Sequence, residues 1–340
     1  MSAAAEAEAA RVSAAYQAAL TQLGVASVGE ALKLWASVPA SAQAATSARW
    51  LATAVDLIMK RRVQSRALAI AYYQLTRALL TGRTIADPTK PVPSQVTLDQ
   101  LRAAFAQLAG KDARAGLRTS GSVEAATPGG ASGVPIERLL NAASALAAGD
   151  RAAQAEAREV LQALGPNNLL KKLNDIDTKL AADVVDGLRH DAHSRAGTRQ
   201  AAAVSRLVMN GARSATWSLG ELDRRVIGYA RVSESGTPCG WCAMLISRGA
   251  VYKTKRGAEY SDGDKYHDNC HCHAEPLFTT DQYADKRFEL NRSYGRLWPT
   301  VTAGKSGKAA VAAWRAYIRA ETTASAQAAR STPIAQEAKQ

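Results

Sequence analysis

The sequence predicts a mainly α protein, with an N-terminal helical region followed by a small α+β region. Three observations lead there. Alanine dominates the apolar residues while aromatics make up only 6% of the chain, which favours long, closely packed helices over a bulky sheet core. Capping and stop signals punctuate the first hundred residues. All four cysteines fall in one later window, where residues that favour strands also gather.

Taken in order, Ser27 with Glu30 reads as a capping box opening a short helix through Leu34 and Trp35. A longer helix is expected from about Ser47 to Leu80, stopped at Gly82, where glycine turns left-handed cheaply. Asp87, Pro88, Pro91 and Pro93 mark a stiff connector. Thr97 with Gln100 forms a second capping box, for a helix ending near Gly110. Residues 111–134 lose all apolar periodicity and read as a flexible linker rich in Gly, Ser, Thr and Ala. Helical patterns resume over 135–148, 151–164, 167–188 and 194–217. Arg225–Ser233, Val251–Thr254 and Ala274–Phe278 read as strands, and 281–294 and 307–330 as terminal helices. The expected division is an N-terminal helical domain at 1–110, the linker at 111–134, a helical connector at 135–194, an α+β domain at 195–325 and a mobile tail at 326–340.

The formal charge of +13 points to an anionic partner, nucleic acid or an acidic protein surface. Residues 189–256 hold twelve Lys/Arg against four Asp/Glu, so much of that excess sits in a fifth of the chain. On a helix, Arg195, Arg199, Arg206 and Arg213 fall within about 40° of one another, with Val204, Leu207 and Val208 toward the opposite side. This stripe reads either as a solvated face or as a strip that meets DNA phosphates or an acidic partner, since the guanidinium fork binds both. Without interleaved aromatics, base-specific recognition is not expected. The acidic, helix-prone N-terminus does not resemble a secretory signal, and the sequence has no run of 18 apolar residues, so synthesis in a cytoplasm is expected.

Cys239 and Cys242, with Gly240 between them, place two thiolates across a turn that can point both sulfurs at one ion. Downstream, Cys270 and Cys272 would share one face of an extended strand, with His271 and His273 on the other. His267, three residues before Cys270, competes with Cys270 and Cys272 for the two remaining places. In a cytoplasmic context this clustering favours a structural zinc, which supplies folding energy where large apolar residues are few. Two disulfides, a redox Cys-x-x-Cys and a catalytic Cys–His pair are the alternatives.

The run Gly228–Ser233, the Pro238–Cys242 knuckle followed by Ser247–Tyr252, and the stretch Tyr266–Phe278 together resemble the MuF-like head morphogenesis domain, most closely the versions carried by phages of actinobacteria. The resemblance covers roughly 195–325. It implies a non-enzymatic minor capsid protein of a tailed phage, located in the virion near the portal and acting in procapsid assembly or DNA delivery. Its implied partners are the portal, the major capsid or scaffold protein, and packaged DNA. Relatives are sometimes fused to a capsid maturation protease, but no serine-elbow motif stands in this sequence. A zinc-containing nuclease or a DNA-binding module is the alternative reading, with His271 as the candidate base.

Overall fold

The computed structural model describes residues 3–41, 44–90, 96–110, 124–125, 134–233, 238–252, 270 and 272–331. These are mainly helical, with two small antiparallel sheets. Three long helices form the body: α1 (Ala3–Trp35), α2 (Ala44–Thr81) and, much later in the chain, α6 (Ala182–Leu222), each packed on the other two. Helix α3 (Leu98–Ala109) leans on α1 and α2, and α4 (Ile136–Gln162) covers α6. A π turn over Ala163–Asn167, carrying Pro166, leads into the short α5 (Asn168–Asn174). Among the described residues no helix is long and apolar enough to cross a membrane.

The core has two lobes along α6. In one, Trp35 of α1 and Trp50 and Ile58 of α2 pack against Leu161, Ala196, Val204 and Val208. In the other, Tyr16, Leu20, Tyr72, Leu75 and Phe105 surround Met209, Ala212 and Leu219. Phe278, from far down the chain, enters this second lobe edge-on to Tyr73, with ring centroids 5.7 Å apart. Small residues set the spacing between helices. A Cβ on Gly211 would lie 2.6 Å from the Arg62 carbonyl oxygen, so α2 and α6 touch backbone to backbone. Arg62 and Ser65 exploit that closeness, donating to the carbonyls of Leu207 and Val208 at 2.8 and 2.7 Å. Buried ion pairs tie the ends: Arg102 of α3 to Glu8 of α1 at 2.7 Å, and Arg77 of α2 to Asp223, the C-cap of α6, at 2.5 Å.

Several expectations meet their structure here. The second capping box is present, with Thr97 accepting from the Gln100 amide at 3.2 Å and Gln100 accepting from the Thr97 amide at 2.8 Å. Gly82 stops α2 at a φ of 70°. The first capping box is not a helix start: α1 runs through it, and the fully buried Ser27 hydroxyl donates backward to the Leu23 carbonyl at 2.7 Å. A serine inside a helix satisfies itself that way, so the motif carries no boundary. The helices expected at 135–148 and 151–164 are one element, since Gly149 stays helical. Helix α6 begins at Ala182 and crosses residue 194 unbroken, so the boundary drawn at 194–195 falls inside an element. Of 111–134, residues 124–125 form β2 (Glu124–Ala125) and pair with β1 (Val96–Thr97); the rest of the expected linker, apart from Val134, lies outside the described residues. The last helix extends to Ser331, into the expected tail, while 332–340 lie outside the description.

The α+β part follows α6. Strand β3 (Gly228–Ser233) pairs antiparallel with β4 (Cys272–Leu277), with Arg231 opposite Ala274 and Ser233 opposite Cys272. Of the strand expected at 251–254, Tyr252 makes a single bridge to Tyr229. Between the strands lies α7 (Gly240–Ser247), and after β4 come two 3-10 turns, α8 (Glu289–Val301) and α9 (Gly307–Ser331). Trp217, Tyr229, Met244 and Trp314 fill the core that joins them to the end of α6.

Two glycines in helix interiors test this packing in opposite directions. Gly211→Ala should lower stability by about 1–3 kcal/mol, because the added methyl must push backbones apart. Gly29→Ala, with open space around it, should raise stability by about 0.5–1 kcal/mol. Denaturant unfolding of both variants reads the difference, and equal stabilities would contradict the close approach.

Candidate metal centre

Strand β4 is buried along its whole length, so both of its faces carry groups that need partners. Alternation sends Cys272 to one side and His273 to the other, as the spacing predicts. On the Cys272 side three buried sulfurs converge. Cys242 lies 2.9 Å from Cys272 and 3.4 Å from Cys270, and Cys270 lies 3.0 Å from Cys272, measured between Sγ atoms. No disulfide joins any of the four cysteines.

Cys242 reaches this position because it sits on a helix. The Cys-x-x-Cys segment, expected as a simple turn, is the N-terminus of α7: Cys239 is the N-cap and its sulfur accepts from the Cys242 amide at 3.3 Å. The helix-forming run Ala243, Met244, Leu245 carried that signal in the sequence. Cys239 is exposed, at the rim of the buried trio. His267 and His271 lie outside the described residues.

Two buried arginines border the sulfurs, and neither was expected in this role. Arg231 on β3 is fully buried, and its Nε donates to the Cys272 sulfur at 3.2 Å. Arg213 on α6, 3% exposed, donates to the carbonyl oxygens of Cys270 and Cys272 at 2.6 and 3.0 Å. Arg213 therefore does not belong to an exposed strip. The reason is that most of the second half of α6 is buried, leaving a partly exposed stripe through Arg206 and Asn210, and the cysteine-bearing segment covers the helix at Arg213. Arg206 is mostly buried too, paired with Glu156 of α4 at 2.8 Å. Arg195 and Arg199 stay exposed, and Arg195 pairs with Asp191 at 2.8 Å. The sequence held a hint of Arg231: in β3 it shares a face with Tyr229, a buried residue, at the period of two.

The electrostatics fit a cation-binding thiolate site. Buried guanidinium groups require anions nearby, and ionised sulfur meets that need. Hydrogen bonds from Cys242 and Cys272, helped by the charges of Arg213 and Arg231, hold the Cys270 thiol well below the usual range. Cys272 is instead pushed up to about 11 by burial, and Cys242 is pushed up by its hydrogen bonds to the sulfurs of Cys239, Cys270 and Cys272. A dication among the sulfurs would favour their ionised form. The geometry is compatible, since sulfurs about 2.3 Å from a tetrahedral centre lie about 3.8 Å apart, slightly wider than this trio.

The opposite face of β4 is polar in another way. His273 sits between the Gln17 amide of α1, which contacts both ring nitrogens, and Glu275, whose carboxylate lies 3.2 Å from Nε2. Tyr72 of α2 donates to Glu275 at 2.5 Å and Arg287 does so at 3.1 Å. Burial, reinforced by the Glu275 charge, raises Tyr72 well above the usual phenol range, so it stays a donor. Tyr16 stacks on Tyr72 with centroids 4.2 Å apart. This network locks the strand that carries Cys272 onto the helical body.

Residues 136–297 match the VG15 protein family. That family is phage-associated, and the matched stretch is just under half of the chain. No curated protein and no solved structure matches. The VG15 stretch runs from α4 into α8 and contains all four cysteines, both buried arginines and the His273–Glu275 face.

Arg231→Met should weaken metal binding about 10- to 100-fold by removing the N–H···S donor, as read by competition with a chromophoric chelator. Arg199→Met, on the exposed side of α6, should leave affinity unchanged. Equal affinity in the two variants would take Arg231 out of the site.

Proposed function

We propose that the chain is a non-enzymatic minor head protein of a tailed phage, and that Cys239, Cys242, Cys270 and Cys272 hold one structural zinc ion. The observation that carries the reading is that the segment matching a phage-associated family is the one built around the buried sulfur trio. The MuF-like resemblance of the same segment supports a place in the virion near the portal, with the portal and the major capsid or scaffold protein as partners. Charge balance favours four cysteines over a set that includes His267. Zinc with four thiolates carries two negative charges, which Arg213 and Arg231 match. Cys239 is also one helical turn from Cys242, on the same side of α7. A closed sulfur shell leaves no position for substrate or water, which suits a structural ion.

Quantitative mass spectrometry of procapsids and virions from the phage that encodes this chain tests the first part. A low, reproducible copy number in either particle is expected, and absence from both would overturn the head-protein reading. Cobalt substitution tests the second. Cys239→Ser should weaken the sulfur-to-cobalt charge-transfer band by about a quarter, while His267→Ala should leave the spectrum unaltered; the reverse pattern would put His267 in the shell.

A further inference from the structure

Among the described residues, the exposed first half of α6 is not a basic surface. Along the first half of α6, Arg189, Arg195 and Arg199 are interspersed with Asp183, Asp186 and Asp191, and ion pairs join Arg189 to Asp186 at 3.1 Å and Arg195 to Asp191 at 2.8 Å. That surface is electrically balanced.

Helix α9 is different. One face, with Ala310, Trp314 and Ile318, is buried against α7 and α8. Lys308, Arg315 and Arg319 are exposed and fall within about 40° of one another around the helix axis. Among the described residues none of the three forms an ion pair. Arg315 is held in place by its guanidinium over the Trp241 ring, 5.2 Å from the centroid. Lys305, in the turn before the helix, is exposed as well. The nearest acidic residue in sequence, Glu321, lies more than about 100° around the helix from all three, on the side of Tyr294, whose hydroxyl it influences. Between the cations stands Ala312, and beyond them Thr322 and Thr323, so α9 itself contributes no large apolar side chain to this face, and the neighbouring Trp241 ring is capped by Arg315.

We infer that this face of α9, with Lys308, Arg315 and Arg319, is a sequence-independent docking surface for the phosphate backbone of double-stranded DNA. The three charges span about 17 Å of helix. Duplex DNA presents one phosphate charge per about 1.7 Å of its axis, so a short stretch of backbone meets all three. A protein partner would be expected to seat an aromatic or aliphatic anchor at the centre of its interface, and the one aromatic beside this face, Trp241, is already covered by Arg315. Small side chains between the cations let a backbone approach closely. The absence of a base-reading constellation makes contact with phosphate, rather than with base edges, the mode. The inference does not rest on the head-protein reading, because purified chain should bind whether or not particles contain it.

The test is fluorescence anisotropy of the full chain with two unrelated 30-bp duplexes across a potassium chloride series. Both duplexes should bind alike, with log affinity falling against log salt at a slope of about −2.7 for three phosphate contacts. Lys308→Ala/Arg319→Ala should weaken binding about tenfold or more and flatten the slope by about 1.8. Neither residue touches the core, and circular dichroism with bound-metal content checks the fold. Arg195→Ala/Arg199→Ala removes the same charge from α6 and should bind like the unaltered chain. Equal loss in the two double variants would reduce the effect to net charge and overturn the inference. So would failure of the unaltered chain to bind duplex, and retention on polyglutamate but not DNA would assign the face to an acidic protein instead.

Discussion

The structure hinges on a strand with no outside. Every residue of β4 is buried, yet two of its six residues are ionisable groups on one face and a third is a cysteine on the other. Unpaired polar groups at such depth cost several kcal/mol each, so both neighbouring layers must be built to receive them. Gln17 and Tyr72 come from the N-terminal helices, and Arg287 from the turn after the strand. Across the strand, Cys242, Arg213 and Arg231 come from three different elements. The helical body and the α+β region are thus fitted to one another through a single extended segment.

Helix α6 is the second shared part. Its first half presents charge to solvent, and its second half is a core element touched by α1, α2, α4 and β4. The same helix that carries Gly211 against α2 also carries Arg213 to the cysteines two residues later. A shift of α2 against α6 would therefore be felt at the sulfur site, which ties the stability of the helical packing to the geometry of the candidate centre.

Much of this was legible in the residues. The cysteines announced their own cluster, and the strand alternation that separates Cys272 from His273 followed from a period of two. Thr97 and Gln100 marked a true helix start, whereas Ser27 and Glu30 did not, because local pattern does not reveal whether a helix already runs through it. Arg213 shows the deeper limit. Periodicity placed it correctly on one side of α6, but whether that side meets water depends on a segment nearly sixty residues away. Arg287 and Tyr72 offered no local sign of their role, since their shared partner Glu275 joins regions of the chain far apart in sequence.

The place of Phe278 has a consequence for the newborn chain. Its ring belongs to the lobe built by α1, α2 and α3, and the strand just before it satisfies Gln17 and Tyr72. Emerging from the ribosome, the first hundred residues have their helices but not the last pieces of their core, and these arrive more than 150 residues later. Such long-range closure is slow and leaves apolar surface open meanwhile. Translation must pass Phe278 before the amino-terminal helices can settle, which gives a chaperone or an assembling neighbour an interval in which to engage them.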